Sequence, residues 1–447
     1  MAEKKISQLT AKGATVADTD LLVVSESAGG GSYTTKSVTG ANIKGLVTDA
    51  NLTTTDVTTN DVSTSKHGFT PKAPNDTTKF LRGDGTWAVP ASGGGLTKFT
   101  EAESTSAPNA TVYVDSLTAA ASSTNADAAI VPKGTGALLA AIPDNTATGG
   151  NKRGINAVDL QTLRSSATEV ASGQYSVLAG VYSTASGSQS VVLGYGATGN
   201  SQASVAISQS ASATNQGAVA IGLSSTASAA STTTVGRGST SSGTSSAAFG
   251  YNNTTSGFQS LSIGSENITS GAYSSSVGWG NTANSNFASA NGAYAHTFGI
   301  YGRQAFASYF ISAVADCQKS IFFLKQRTTG NTATTLTANN STTSSDNQVI
   351  LSNNSGYRFK GTIIGKKSGT TDVAAWDIDG LIVRGANAAA TTLNISNVTL
   401  VQNTPAWGTP TLAADTTNGG LQVQVTGAAA TNIQWTAVIE TTEVIYA

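Results

Sequence analysis

Large, small and polar positions recur with a fixed period of fourteen residues through the middle of the chain. Nine consecutive units without an insertion run from Val170 to Ala295, and eight of them carry glycine at the eleventh position. The glycines are Gly180, Gly194, Gly222, Gly236, Gly250, Gly264, Gly278 and Gly292, and Ser208 is the exception. The residues before each glycine alternate in size, as in a short strand with two different faces. Glycine itself indicates a turn, because it adopts positive φ without steric cost. Each unit is therefore predicted to form one coil of a β-solenoid.

The repeats contain few side chains that could form a hydrophobic core. Each coil offers one or two sizeable apolar side chains, and the charged residues within the repeats are Arg237 and Glu266. Ordering a residue costs ~1–2 kcal/mol, and so little apolar area cannot offset that cost. We therefore expect three chains to wind together, with a row of small residues at a tight symmetry axis, as glycine lies at the collagen axis.

One sequence pattern in the repeats resembles a known family. The motif S-V-A-I-G, found as Ser204–Ile207 and Ala218–Gly222, resembles the head repeat of the YadA-type trimeric adhesins. The resemblance covers residues 170–295 in a fixed register. It implies a left-handed parallel β-roll, a trimer and an adhesive role.

The pattern changes after Ala295, where charged residues and long side chains return. Gly, Asn and Thr clusters separate eight candidate strands, at 305–313, 320–326, 348–352, 357–366, 373–383, 393–401, 421–426 and 433–445. Residues 421–425 and 433–438 alternate as half-buried antiparallel strands do. We predict that residues 296–447 form a jelly-roll-like β-sandwich, trimeric because it caps a trimeric shaft. The chain as a whole is then an all-β, elongated homotrimer.

The residues before the repeats resemble parts of tailed-bacteriophage fibre and appendage proteins. Residues 1–50 resemble an N-terminal virion-attachment module, and residues 51–95 form a neck. The neck holds K-F-L-R-G-D-G-T-W at Lys79–Trp87, close to a signature of phage tail-fibre shafts. Residues 96–169 resemble a β-connector that precedes adhesin-like repeats. The candidate attachment residues are Ile6, Leu9, Leu21, Leu22, Val23 and Val24.

Composition narrows the possible partners. Charged residues make up 11% of the 447 residues, against ~25% in typical proteins, and the formal net charge is −1. This balance argues against a nucleic acid or an anionic membrane as an electrostatic partner. The sequence shows no secretory leader and no apolar stretch of ~20 residues. We therefore expect a protein made in the host cytoplasm and displayed on a virion.

The sequence offers little for catalysis. His67, His296 and the lone Cys317 are far apart in sequence, and no pattern of metal ligands occurs. Asp346, Asp372, Asp377 and Asp379 are candidates for a carboxylate pair that cleaves polysaccharide, but we interpret them as solvated acids in turns. The sequence therefore predicts a protein that is not an enzyme and that carries no metal and no cofactor.

Binding is the more plausible activity, and two groups of residues are candidates for it. Position twelve of the coils holds Tyr195, Arg237, Tyr251 and Trp279, which a solenoid would align along one edge. Aromatic faces bind sugar rings, although the same residues could simply pack on neighbouring coils. The second group is predicted on distal loops, near Tyr357, Trp376 and Trp407.

These observations together predict a trimeric tail fibre. Its N-terminus would bind a tail, baseplate or capsid protein, and its distal β-domain would bind a host surface glycan or protein. A capsid-bound head fibre or decoration protein is one alternative, and a polysaccharide depolymerase spike is another.

Overall fold

The computed structural model describes residues 21–27, 33–39, 41, 70, 73–89, 99–104, 114–119, 125 and 129–446. They belong to two compact units, Met1–Ala129 and Ile130–Ala447. The first unit contains three antiparallel strand pairs among its described residues, β1 with β2, β3 with β4, and β5 with β6. Their bounds are Leu21–Ser27 (β1), Tyr33–Thr39 (β2), Phe80–Leu81 (β3), Trp87–Ala88 (β4), Phe99–Ser104 (β5) and Val114–Ala119 (β6).

The fibre-type signature forms a tight hairpin between β3 and β4. The backbone N–H of Arg82 donates to the carbonyl of Thr86 at 2.7 Å, and that of Gly85 donates to the carbonyl of Arg82 at 2.9 Å. Asp84 accepts hydrogen bonds from the hydroxyl and the backbone N–H of Thr86, which lower the pKa of its carboxyl. The turn is therefore held by its own polar side chains.

The second unit begins with the shaft, in which strands of two to five residues alternate along the chain. Their bounds are Leu138–Leu139 (β7), Val158–Asp159 (β8), Val177–Val181 (β9), Thr184–Ala185 (β10), Val191–Tyr195 (β11), Thr198–Gly199 (β12), Val205–Ile207 (β13), Ser212–Ala213 (β14), Val219–Ile221 (β15), Thr226–Ala227 (β16), Thr233–Arg237 (β17), Thr240–Ser241 (β18), Ala247–Tyr251 (β19), Thr254–Thr255 (β20), Leu261–Ser265 (β21), Ile268–Thr269 (β22), Ser275–Trp279 (β23), Thr282–Ala283 (β24) and Ser289–Ala293 (β25).

Each coil contributes one longer and one two-residue strand to two parallel sheets. Val191 pairs with Val177 on one side and Val205 on the other, so the register advances by fourteen residues per coil. The short strands form a separate parallel sheet from β10 to β24. The predicted parallel β-solenoid is confirmed.

Glycine at position eleven allows the coils to stack backbone on backbone. Gly264 has a φ of +118°, and a Cβ placed on it would lie 2.0 Å from the carbonyl oxygen of Gly278 in the next coil. A side chain there would therefore push the two coils apart.

The small residues fill the inside of each coil, which corrects the expectation that they line a symmetry axis. The side chains at position nine are fully buried within their own coil; they are Leu178, Val192, Ala206, Ala220, Thr234, Ala248, Ser262, Ser276 and Ala290. Position ten points the other way, because neighbouring residues of a strand face opposite sides. Its aliphatic and aromatic residues, such as Ile263 at 41% exposure, face outward. The outward apolar row, which we call the outer aliphatic row, is formed by Leu193, Ile207, Ile221, Val235, Phe249, Ile263 and Val277.

A ladder of buried asparagines holds the last coils together. Asn267 donates its side-chain N–H groups to the carbonyls of Ile263 and Gly278 and to Oδ1 of Asn253, at 2.9–3.1 Å. Its own Oδ1 accepts from the backbone N–H of Asn281 at 3.0 Å. Each asparagine thus satisfies the glycine carbonyl that the turn leaves out of the strand ladder. Serines at the same position make a similar link in some earlier coils, as Ser183 does to Gly194 at 2.9 Å.

The C-terminal region consists of long antiparallel strands. Their bounds are Gln304–Ala307 (β26), Cys317–Thr328 (β27), Ala333–Thr335 (β28), Val349–Ile350 (β29), Ser355–Lys367 (β30), Val373–Arg384 (β31), Thr391–Asn403 (β32), Gly408–Asp415 (β33), Gly420–Thr426 (β34) and Ile433–Ile445 (β35), with a 3₁₀ turn at Ala388–Ala390. The sequence predicted most of these strands but missed β28 and β33, and it placed the first one at 305–313, where β26 ends at Ala307.

Two sheets enclose the C-terminal core. One has the order β26-β27-β35-β30-β31-β32, and the other is built on β34, which pairs with β28, β29 and β33. Buried residues of both sheets form one cluster that includes Phe322, Phe359, Val423 and Trp435. The hairpin-linked β30, β31 and β32 stay in a single sheet, so the strands are divided less evenly than in a jelly roll.

The shaft and the C-terminal region share one hydrogen-bonded sheet. Strand β26 pairs in parallel with β25, the last long shaft strand, and antiparallel with β27. The ladder therefore continues from the coils into the terminal sheet without a flexible linker.

Both ends of the shaft contain buried ionic groups. At the start, Asp159 is fully buried and pairs with Arg153 at 2.6 Å and with Arg164 at 3.3 Å. At the end, Arg303 pairs with Glu443, and both side chains are fully buried. Both clusters are buried within strands that remain hydrogen-bonded to their neighbours.

A histidine lies beside the distal ionic cluster. His296 Nδ1 accepts a hydrogen bond from the backbone N–H of Phe298 at 2.7 Å, and Gln318 links its backbone to Glu443. Burial and the positive charge of Arg303 lower the pKa of His296 to about 4. The imidazole is therefore neutral at physiological pH.

The asparagine ladder leads to a stability prediction. Replacing Asn267 with alanine leaves the carbonyl of Gly278 and the backbone N–H of Asn281 buried without those partners, and such groups cost about 1–3 kcal/mol each. We expect Asn267→Ala to lower the free energy of unfolding by about 3 kcal/mol, measured by guanidinium denaturation followed by circular dichroism. Ser270→Ala, an exposed change in the next coil, is the control and should alter it by about 0.5 kcal/mol or less. Equal denaturation midpoints for the two variants would contradict the role assigned to the ladder.

Candidate functional site

The residues predicted at position twelve do lie along one edge of the shaft. Tyr195, Tyr251 and Trp279 end strands β11, β19 and β23 and are 42–52% exposed. Arg237 pairs in register with Tyr251, and its guanidinium carbon lies 5.8 Å from the centre of the tyrosine ring. Tyr195 packs edge-on against Tyr182 at 5.3 Å. The row therefore combines packing between coils with exposed aromatic faces.

At the distal end of the shaft, this row widens into a group of rings that we call the terminal aromatic cluster. It consists of Trp279, Tyr294, Tyr309 and Phe310. Centroid distances between contacting rings are 4.3–5.9 Å, in the range of favourable aromatic pairs. Trp279 and Tyr309 are both more than 40% exposed, so the cluster presents a solvent-facing aromatic surface.

One carboxylate orients the main ring of the terminal aromatic cluster. The indole Nε1 of Trp279 donates a hydrogen bond to Oε2 of Glu266 at 2.9 Å. The pKa of the Tyr294 hydroxyl is raised, first by desolvation and then by the neighbouring Tyr309 and Glu266. The hydroxyl is therefore protonated at neutral pH, and the surface combines apolar faces with hydroxyl and carboxylate groups, as sugar-binding surfaces do.

A second aromatic row runs on another side of the same coils. Phe258, Tyr273, Phe287 and Tyr301 contact one another in that order, with centroid distances of 5.4, 5.0 and 5.3 Å. The sequence interpretation missed it, although Tyr273 and Phe287 are one repeat apart. Tyr294, Tyr309 and Phe310 were also missed, because they lie off position twelve or beyond the repeats.

Tyr357 and Trp376 are not on loops, which corrects the prediction for these two, whereas Trp407 lies on the connection between β32 and β33 but is buried. Tyr357 and Trp376 lie in strands β30 and β31 and are 0% and 1% exposed. Trp407 is 7% exposed and packs against Trp435 at a centroid distance of 5.5 Å. These three rings are large apolar side chains that belong to the core between the two sheets.

The attachment candidates are only partly within the described residues. Leu21, Leu22, Val23 and Val24 lie in β1, where Leu22 pairs with Val38 of β2. Ile6 and Leu9 lie outside the described residues.

Two of the four candidate carboxylates share an exposed strand face. Asp377 and Asp379 are two residues apart in β31 and point away from the core. Asp377 accepts from the Thr362 hydroxyl at 3.0 Å, and Asp379 pairs with Arg358 at 2.8 Å. Asp346 and Asp372 lie elsewhere, in the turn before β29 and beside Lys367. The interpretation of all four as acids in turns is therefore corrected for this pair.

Two further features are absent from the described residues. No group of three or more His, Cys, Asp or Glu side chains there is arranged to hold a metal ion. None of the helical segments in that part of the chain has the length and hydropathy needed to cross a bilayer.

Comparison with known proteins gives structural similarity only. No family profile matches the chain, and no curated protein matches it. Two phage tailspikes are similar in structure at 10% sequence identity. One is gp49 of Acinetobacter baumannii bacteriophage Fri1, a capsular polysaccharide depolymerase, with a TM-score of 0.22 over 69% of this chain and 52% of gp49. The other is the tailspike of Acinetobacter baumannii phage AM24, with a TM-score of 0.15 over 64% of this chain and 60% of that tailspike.

The prediction that the chain is not an enzyme is wrong on this comparison. The tailspike gp49 is named as an enzyme, a capsular polysaccharide depolymerase. The exclusion of catalysis is therefore withdrawn. Similarity at this level assigns no catalytic residue to the present chain.

Proposed function

We propose that the chain is a structural protein of a bacteriophage tail, a homotrimeric fibre that attaches through its N-terminal unit and binds polysaccharide on the host surface. The observation that carries the binding function is the terminal aromatic cluster. Two of its rings, Trp279 and Tyr309, are exposed, and Trp279 is held by the hydrogen-bonded solenoid and by Glu266. Aromatic faces of this kind pack against the C–H faces of sugar rings. The phage assignment rests on the resemblance of Lys79–Trp87 to fibre shafts and of the repeats to trimeric adhesins.

The outer aliphatic row supports the trimer. A single chain leaves Phe249, Ile263 and Val277 about 40% exposed in successive coils, next to the other apolar residues of position ten. A continuous apolar stripe on a polar rod marks a protein interface. Three chains wound about a common axis would cover the stripe of each one. Trimeric presentation would also multiply weak sugar contacts into useful avidity.

Charge in the outer aliphatic row should prevent assembly. We expect the native protein to sediment as three chains of 44.8 kDa each and Ile263→Asp to sediment as a smaller or aggregated species. The physical reason is that the new carboxylate would be buried between chains without a partner. Ser270→Asp introduces the same charge in the next coil, away from the row, and should remain trimeric. A native protein that sediments as a folded monomer would refute the trimer.

Removal of the main ring should weaken adhesion. We expect Trp279→Ala to reduce binding of the purified fibre to host cells about tenfold, since an aromatic contact contributes about 0.5–1.5 kcal/mol and recurs in each chain. Trp279→Phe keeps an aromatic face and should bind nearly as the native protein does. Leu223→Ala is the matched control, because Leu223 is exposed at position twelve of another coil. Native-level binding by Trp279→Ala would show that the terminal aromatic cluster is not the binding site.

Cleavage of the bound polysaccharide is a second candidate function, favoured by the shared exposed face of Asp377 and Asp379. Residues two apart in a strand are separated by about 7 Å, within the range for the two carboxyls of inverting glycosidases.

The chain length of host capsular polysaccharide after incubation with the purified protein tests this second function. If the pair is catalytic, the native protein shortens the polymer, while Asp377→Asn and Asp379→Asn each reduce the rate at least about a hundredfold. Asp372→Asn is the control for loss of one carboxylate. Unchanged polymer length with native protein would leave adhesion as the function.

A further inference from the structure

The outer face of the terminal sheet contains a cleft that the proposed aromatic site does not use. Its volume is about 610 Å³, within the range of small-ligand sites. Strands β27, β30 and β35 form its floor, and the turn after β28 contributes to its wall. Its lining includes Lys325, Arg327, Asn340, Lys366, Gln434 and Thr436.

Strand register brings the cations of this cleft together. Gln434 in the central strand pairs with Arg327 on one side and Lys366 on the other. Thr436, two residues further along, pairs with Lys325. Arg327 and Lys366 are two strand spacings apart, about 10 Å, so one ligand lying over Gln434 can contact both. A smaller cleft of about 310 Å³ shares Arg327, Lys366 and Gln434 with the larger one and extends the surface to Lys367 and Ser368.

Elsewhere on the same sheet face, acidic side chains form ion pairs with the cations. Glu440 pairs with Lys319 at 2.9 Å and with Lys360 at 3.6 Å, and Asp379 pairs with Arg358. By contrast, within the described part of the chain no acidic group lies in ion-pair contact with the three cleft cations, Lys325, Arg327 and Lys366. Lys366 donates only to the backbone carbonyls of Lys367 and Thr370. The nearest ion pair, between Lys367 and Asp372 at 3.4 Å, lies at the edge of the extended surface.

We propose that this basic cleft binds the carboxylate-bearing sugars of an acidic polysaccharide, an inference that rests on the proposed adhesive function and specifies its ligand. Arginine and lysine side chains bind carboxylates through charge-assisted hydrogen bonds. The side chains of Gln434, Asn340 and Thr436 offer donors and acceptors that match sugar hydroxyls. The alternative ligand, single-stranded nucleic acid, needs exposed rings for base stacking, and the one aromatic residue of the lining, Trp435, is 2% exposed.

The test measures binding of the full chain to a galacturonate hexasaccharide and to its carboxyl-reduced neutral counterpart by calorimetry. We expect the acidic hexasaccharide to bind at least tenfold more tightly than the neutral one. Arg327→Gln and Lys366→Gln should each weaken acidic binding about tenfold, since each removes one charge-assisted contact. Lys360→Gln is the matched control, because it removes one charge from the same strand face outside the cleft. The preference should also fall between 0.05 and 1 M salt, since screening shortens to about 3 Å.

The outcomes separate the two proposals. Adhesion to host cells without preference for the acidic sugar would overturn the basic cleft and leave the proposed function intact. A preference for the acidic hexasaccharide that persists in both Arg327→Gln and Lys366→Gln would show that the basic cleft is not the binding site. Equal affinity for a single-stranded DNA oligonucleotide would overturn the polysaccharide class. Failure of the native protein to bind host cells at all would refute the proposed function itself.

Discussion

The shaft depends on one constraint, which is that each coil places its backbone directly on the backbone of the next. Strand pairing repeats every fourteen residues, so any side chain on the stacking surface must be absent or very small. Glycine at position eleven meets this requirement at the turn, where a Cβ on Gly264 would collide with the carbonyl oxygen of Gly278 and a Cβ on Gly278 with that of Gly292. The same turn leaves a carbonyl outside the ladder. Ser or Asn at position fourteen donates a hydrogen bond to that carbonyl in several coils, so these polar side chains are part of the packing.

Backbone stacking of this kind stabilises the coils in the middle of the shaft but not those at its ends. An end coil exposes unpaired strand edges and an interior of small residues that no neighbour covers. Buried Arg–carboxylate pairs lie near both ends of the shaft, around Asp159 in β8 and around Glu443 in β35. Charges in such places are costly unless they are hydrogen-bonded, and Arg153, Gln318 and Thr441 supply those bonds. At the distal end β26 then pairs with both neighbours and leaves no free edge there.

The repeat could be recognised from sequence because its period, its glycines and its size alternation all arise from the stacking constraint. The direction in which each strand face points could not be recognised from sequence. A strand with one small face and one larger apolar face fits either side of a coil, and only closure of the coil places Ala248 inside and Phe249 outside. The terminal domain shows a similar limit. Trp376 and Tyr357 were expected near distal loops because loops on a rigid sandwich often carry recognition, whereas the space between the two sheets required their large side chains.

The two proposed binding surfaces depend on contacts that one sequence position cannot reveal. Trp279 was predictable from its place in the repeat, but its partners Tyr294 and Tyr309 lie off that register and approach it only through the fold. The basic cleft is likewise assembled from three strands that are distant in sequence, and register sets its cations around Gln434. The continuous sheet from shaft to terminal domain keeps both surfaces in one rigid unit. An acidic polymer could therefore contact aromatic faces through its ring carbons and the cleft through its carboxylates, and each contact would compensate for the limited strength of the other.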